Sequence, residues 1–451
     1  MTRRIPLLTV VAGMAIAGAI AAPAPSAQAS ESDDLRTALK ATDSPLRTPF
    51  EKSNGARWTS FEQWLDFWSG LDAASDRVEV DRVGSSGLGR PIHAITIGHP
   101  TPPSVRTQAQ GSVFMLNCSI HGDEPSGREA CMILARDLAT STDPRISRFL
   151  RSTTVVMTGI NPDGWVANTR GNAAGTDINR DFLKLATPEA RVLAKLISER
   201  KPDVLNDLHE YGPRADYDTQ ALTLWPRNRN VDAGVHALAK TMVEDYVEPR
   251  LDSAGLSHGR YGQLVRDGKP YRQVAGDDQA RILRNYTGLR HVVGMLTEAA
   301  NEPVTQAEKD DPALLNRNRV AVQYAAVVGN AELIESERRD IAQTTTQAAE
   351  RATQMGAARK GIVYFAGQDD MLPTKPEQVE ANPMCGYSLS AAQASEFGEV
   401  LALHGVKTTK TADGAWVPMG QPARGLIPLL FDERSEFRIT TAEPVAKCPG
   451  S

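Results

Sequence analysis

Apolar positions along the chain fall into a helical and a strand period. After Ser60, which can cap a helix, Phe61, Trp64, Leu65, Trp68 and Leu71 recur at helical spacing, with Glu62 and Asp66 on the opposite side. "VEVDRVGSSGLGRPIHAITIG" (Val78–Gly98) predicts a β-hairpin with Gly84, Gly87 and Gly89 in its connection. Strands and helices then alternate: strands at 112–120, 153–160, 203–209 and 290–298, and helices at 125–139, 188–200 and 231–248. That order predicts the α/β class, with a mixed, largely parallel twisted sheet covered by helices on both faces. From Asp311 to Met355 the texture is one long helical stretch rich in Ala, Arg and Glu. Beyond it, "KGIVYFAG", a Pro-rich loop and a helix near Ser390–His404 predict a small α+β unit over 356–451. Residues 30–58 read as a polar, irregular lead-in.

Four of the apolar strands end in polar residues. "NCSIHGDEPSG" (Asn117–Gly127) carries His121 and Glu124 in one turn between strand and helix; "INPDG" spans Ile160–Gly164; "LNDLHE" brings His209; "VVGMLTE" brings Glu298. Ligands of open α/β sheets bind beyond the carboxyl ends of the strands, so these distant residues are expected in one crevice. Two imidazoles and one carboxylate (His121, His209, Glu124) make a three-donor zinc set with the fourth position open, the pattern of a catalytic rather than a structural zinc. An ion there acidifies water and polarises a carbonyl, so hydrolysis follows if a base stands near, and Glu298 is the candidate base. Singly these signals are weak: a lone strand-end histidine is more often a hydrogen-bonded structural residue, and HxxE alone selects little.

Composition narrows the setting. The chain has 451 residues, 41% of them hydrophobic and 23% charged, enough for a sizeable globular core. Arg3 and Arg4, the apolar run Ile5–Ala22 and the small-residue site Ala27-Gln28-Ala29 predict a signal peptide over 1–29, cleaved near Ala29, and a secreted product with no membrane attachment afterwards. The leader holds two arginines and no acid, so the net charge of −5 becomes −7 on cleavage, which argues against a nucleic-acid partner. Four cysteines allow two disulfides in an oxidising compartment. Cys385 with Cys448 is the preferred pair because both lie in the C-terminal region, while Cys118 and Cys131 are equally compatible with buried thiols. A monomer is expected.

The ordered set HGDE, NPDG, the arginine of "NTRGN", "GTDINRDF" (Gly175–Phe182), a strand-end His and a strand-end Glu resembles the zinc carboxypeptidase family typified by carboxypeptidase A, and its secreted bacterial branch, over roughly residues 45–330. The resemblance implies a catalytic domain over 30–340 and one Zn2+ per chain held by His121, Glu124 and His209. It further implies that Arg170 stabilises the developing oxyanion, that Asn179 and Arg180 clamp the free C-terminal carboxylate of a peptide substrate, and that Asp177 fixes the tautomer of His121. Glu298 would take a proton from the attacking water and return it to the leaving amine. For the family's mobile tyrosine, Tyr271 is nearest the usual separation from the base, but Tyr286 in "NYTGLRHVVGMLTE" is the assignment favoured. The stretch between Glu124 and His209 is shorter than in the digestive enzymes, which implies an open cleft and leaves the side-chain pocket unassigned. Two other readings share the fold: a zinc amidase, deacylase or cell-wall stem-peptide hydrolase, and a non-catalytic peptide-binding protein. The unit after 356 lies outside these motifs, and a stabilising cap is its default reading.

Overall fold

A computed structural model describes residues 35–39, 46–108, 111–262, 264–266, 269–271, 276–368 and 372–448. The leader expected over 1–29 lies outside the described residues. Helix α1 (Phe61–Ala74) starts at Ser60, whose hydroxyl accepts from Gln63 N while the Gln63 side chain accepts from Ser60 N, a reciprocal cap. The hairpin of β1 (Val78–Ser85) and β2 (Pro91–Ile97) follows, then β3 (Ser112–Ser119), α2 (Ser126–Thr140), β4 (Thr153–Gly159), α3 (Pro188–Arg200) and β5 (Val204–Tyr211). Two short strands, β6 (Ala221–Leu224) and β7 (His258–Arg260), precede α4 (Leu283–Leu289), β8 (Val293–Ala300) and the 46-residue helix α5 (Pro312–Ala357).

The main sheet has eight strands in the order β1-β2-β4-β3-β5-β8-β6-β7. Its middle, β4-β3-β5-β8, is parallel throughout, and the hairpin and β6 join it antiparallel. This is the α/β sheet the pattern predicts, and every residue of β3, β5 and β8 is buried, as strands covered on both faces must be. The period of two sorts the β3 side chains. Phe114 and Leu116 face a core with Trp64 and Trp68 of α1, Met132 of α2 and Val327 of α5. Val113 and Met115 face a second core with Leu193 of α3, Leu289 of α4 and the C-terminal residues Leu389, Val417 and Leu430.

Some expectations change in detail. The lead-in contains short helices at Leu35–Leu39 and Pro49–Lys52. The helix expected at 231–248 is α-helical at Ala233–Thr241, π-helical at Met242–Val247 and α-helical again to Ser253. The C-terminal residues form a four-stranded antiparallel sheet with helices at Ala391–Leu403 and Ile427–Phe431, and they share the second core with α3 and α4. Both cysteine pairs are disulfides, Cys118–Cys131 and Cys385–Cys448. Among the described residues no helix is long and apolar enough to cross a membrane.

Candidate active site

The carboxyl ends of β3, β5 and β8 open into a cleft of about 340 Å3 lined by His121, Glu124, Arg170, Arg180, His209 and Glu298, among others. The turn after β3 can bend there because its backbone meets another backbone directly. A Cβ on Gly122 would lie 1.9 Å from Gly164 C, and one on Gly164 would lie 2.4 Å from Gly171 O, so three glycines stack the HGDE turn, the NPDG turn and the loop behind Arg170. Asn161 ties the same three pieces: its Nδ2 donates to Ile120 O at 3.0 Å and to Gly171 O at 3.3 Å, and its Oδ1 accepts from Gly164 N at 3.0 Å.

His121, Glu124 and His209 converge. Their donor atoms lie within 4.8 Å of one another, and all three residues are buried. His121 Nδ1 is 2.8 Å from Glu124 Oε1, His209 Nδ1 is 3.0 Å from Glu124 Oε2, and the two Nδ1 atoms are 3.1 Å apart. The far side of each ring meets a carboxylate, Asp177 Oδ1 at 3.2 Å from His121 Nε2 and Asp207 Oδ2 at 2.7 Å from His209 Nε2. A carboxylate can only accept, so these partners assign the proton of each neutral ring to Nε2 and leave two Nδ1 lone pairs aimed at one point beside a carboxylate.

That donor set fits a zinc ion, and the electrostatics agree. Burial works against charge on His209, yet Asp207 and Glu124 raise its pKa well above the usual value. Burial likewise pushes Glu124 up, but the two histidines outweigh it and hold the carboxyl far below the ordinary range. The pocket therefore has a negative potential that stabilises positive charge. The Arg170 guanidinium already lies against it, with Nη1 3.1 Å from His121 Nδ1 and 3.3 Å from Glu124 Oε1, and with Nε and Nη2 on Asp177 Oδ2.

Glu298 sits in parallel register beside His209, one strand over. It is buried, its Oε2 has no hydrogen-bond partner among the described residues, and burial pushes its pKa up to about 8, with Glu124 and Asp207 adding to the shift and His209 and Arg170 opposing it. Arg180 stands on the cleft wall, its Nη1 donating to Asn179 O at 2.9 Å.

Two expected site residues are placed differently. Asn179 borders the cleft but its amide is committed: Oδ1 accepts from Leu283 N at 2.8 Å, and Nδ2 lies 3.0 Å from His209 Nε2 and 3.5 Å from Asp207 Oδ2. Since His209 Nε2 already donates to Asp207, the Asn179 N–H serves the Asp207 carboxylate, so this side chain orients the histidine's partner rather than facing a substrate. Tyr286 is fully buried in the second core, stacked on Phe182 at 5.5 Å, its hydroxyl bonded to His404 Nδ1 at 3.1 Å and Arg290 Nη1 at 2.8 Å. It does not line the cleft, because helix α4 turns it inward. The described phenols that do are Tyr211, Tyr217 and Tyr261. Tyr261 packs 5.3 Å from Tyr217 and feels the charges of Glu298 and Arg170; burial, the largest cause, lifts its pKa well above the usual value. The Tyr271 side chain lies outside the described residues.

Glu210, unassigned in the sequence, has a structural task. Its Oε1 accepts from Ser126 N at 2.7 Å at the start of α2, which lacks a side-chain cap, and its Oε2 pairs with Arg319 of α5. The carboxylate thus fixes the helix start next to Glu124 to the strand that carries His209.

Comparison with known proteins finds a family match over part of the chain. A family model described as zinc carboxypeptidase matches residues 63–263, a span that holds all of the residues above except Glu298 and those after 263. Carboxypeptidase 2 of Trichophyton rubrum is 30% identical over 213 residues, covering 45% of this chain and 38% of that protein. Carboxypeptidase D of Rattus norvegicus is 29% identical over 176 residues, 30% of this chain and 13% of that protein. The chain thus spans about two-fifths of the length of Carboxypeptidase 2, 38%. Among solved structures, a metallo-carboxypeptidase from Burkholderia cenocepacia aligns at 18% identity over 61% of this chain and 69% of its own, with a TM-score of 0.46.

Proposed function

Residues 63–263 of this chain match the zinc carboxypeptidase family, and from that premise we propose that the protein is an exported, zinc-dependent metallocarboxypeptidase that releases residues from the free C-terminus of peptides. The observation that carries the reading is the pairing of Glu298 with His209 in adjacent parallel strands, which sets an unpartnered carboxylate oxygen beside a two-histidine, one-carboxylate donor set.

His121 and His209 through Nδ1, and Glu124 through its carboxylate, would hold the ion. Bound there, zinc supplies a Lewis acid that polarises the scissile carbonyl and makes a water easier to deprotonate. Glu298 accepts the water proton at Oε2 and passes it to the leaving amine. Its depth favours the task, since burial brings its affinity for a proton near neutrality. Arg170, anchored by Asp177, offers Nη1 to the oxygen on which negative charge develops. Arg180, whose Nη1 donates to Asn179 O, offers its other guanidinium donors to the terminal carboxylate of the substrate. Tyr261 lines the same cleft. The basic and apolar leader over 1–29 and the two disulfides support export, because such bonds persist in oxidising compartments.

The test is a set of peptides with free and amidated C-termini, assayed on wild type and Arg180→Ala. Release of single C-terminal residues from the free acids alone, with KM raised in the variant, supports the reading. Equal cleavage of the amidated peptides contradicts it and favours an amidase that does not read the carboxylate.

A further inference from the structure

Asp207 lies two residues before His209 on β5, so strand alternation puts both side chains on one face. It is completely buried. Its Oδ2 is 2.7 Å from His209 Nε2, and its Oδ1 accepts from Asn117 Nδ2 at 2.7 Å. Asn117 is the residue directly opposite Asp207 in the β3–β5 pairing, and Asn179 Nδ2 approaches Asp207 Oδ2 at 3.5 Å from the other side. The carboxylate therefore stands on a central strand, paired on both sides, with one oxygen anchored and the other reserved for a ring N–H.

The partner of His121 is held differently. Asp177 lies on a loop, its side chain is 26% exposed, its distance to the ring is 3.2 Å, and it shares its charge with the guanidinium of Arg170 at 3.0 Å and that of Arg180 at 4.0 Å. Water screens an exposed carboxylate, and two cations draw on it. Among the described residues Asp207 has neither competitor at hydrogen-bond distance: its partners are an imidazole and two neutral amides.

We propose that Asp207 is the positioning residue that fixes His209 with its proton on Nε2 and its Nδ1 lone pair toward the metal, and that it contributes more to metal retention than Asp177 does. This rests on the reading of His121, Glu124 and His209 as the metal donors. A carboxylate behind an imidazole restricts the ring to one tautomer and one orientation and raises the basicity of the coordinating nitrogen. Asp207 does so from the more rigid mount and with the less diluted charge. Asn117, which touches no donor atom itself, acts one step further back by holding Oδ1.

The experiment measures zinc affinity by competition with a chromophoric chelator, together with the thermal midpoint of the metal-free protein, for wild type, Asp207→Asn, Asp177→Asn and Asn117→Ala. Asp207→Asn should weaken zinc binding about 10- to 100-fold, the span typical of such partners, with the metal-free midpoint not lowered. Asp177→Asn should weaken it less, and Asn117→Ala by a few-fold. Should Asp207→Asn fail to fold, the Asn117 variant carries the test, because it leaves both the carboxylate and His209 in place. Equal zinc affinity in wild type and Asp207→Asn, or in wild type and Asn117→Ala if that variant is the one available, would overturn the proposal while leaving the metal site intact. A larger loss in Asp177→Asn than in Asp207→Asn would overturn the ranking. A wild type that takes up no zinc would instead overturn the underlying reading, and this proposal with it.

Discussion

The disulfide Cys118–Cys131 joins β3 to α2 across a sequence separation of 13, and the loop it closes contains both His121 and Glu124. Replacing both cysteines by alanine removes the cross-link without burying a new polar group, since both side chains are about 1% exposed. Closing a loop of this size restricts the unfolded chain by about 3 kcal/mol at room temperature. With an unfolding entropy of about 2.1 cal/mol/K per residue, a chain of 451 residues would show that loss as a fall of about 3 °C in the thermal midpoint. The turn that carries His121 and Glu124 has independent supports: Ser119 Oγ donates to His121 O at 2.8 Å, Arg128 Nη1 donates to Gly122 O at 3.1 Å and to Ser119 Oγ at 2.8 Å, and Asn161 holds Ile120 O. The double variant Cys118→Ala/Cys131→Ala should therefore unfold earlier yet bind zinc within about threefold of wild type, a coupling below 1 kcal/mol. Differential scanning calorimetry and chelator competition on the same preparations read both quantities. An unchanged midpoint would refute the loop-closure argument, and a tenfold or greater loss of zinc affinity would refute the claim that the turn is held by its hydrogen bonds.

Glu129, buried on α2, has its pKa pushed up to about 7 by burial, with Glu51 adding and the Thr59 hydrogen bond and Arg128 opposing. Its folded value exceeds the unfolded one, so its stabilising contribution is full below about pH 4.5 and is lost as the pH rises through about 7. Glu129→Gln should accordingly gain on wild type by about 3 kcal/mol between pH 5 and pH 8 in denaturant titrations, and a pH-independent difference would contradict the assignment. Tyr286→Phe removes a hydroxyl bonded to His404 and Arg290, so it should cost about 1–3 kcal/mol of stability with kcat unchanged. Tyr261→Phe should alter KM or kcat on peptide substrates with little effect on stability. Reversal of that pattern in parallel melting and kinetic assays would return Tyr286 to the site.

The central strands and the convergence of His121, Glu124 and His209 were legible because each is written locally. An apolar run bounded by turn residues fixes β3, β5 and β8, and the polar residues at their ends need only the rule that strand ends face one crevice. The short strands β6 and β7, of four and three residues, carry too few positions to show a period. The π-helical stretch at Met242–Val247 has no periodic mark of its own in so short a span. Tyr286 and Tyr261 differ in which way a helix and a strand end turn them, and spacing from Glu298 does not encode that. Asn179 looked free in "DINRDF" because its partners, Leu283 and Asp207, come from elements 104 and 28 residues away. Asp207 did leave a signal: in "NDLHE" it stands two before the histidine, the spacing that puts two strand residues on one face.

On the function proposed, three strand ends assemble one zinc-dependent hydrolytic site with Glu298 as its base. Zinc content and C-terminal residue release, measured together on wild type and Glu298→Gln, test it most directly. One zinc per chain is expected in both proteins, with chelator-sensitive release in wild type and turnover reduced about 10²- to 10⁴-fold in the variant, the range for a lost general base. Zinc in both with equal turnover would remove Glu298 from the chemistry, and wild type without zinc would contradict the site itself.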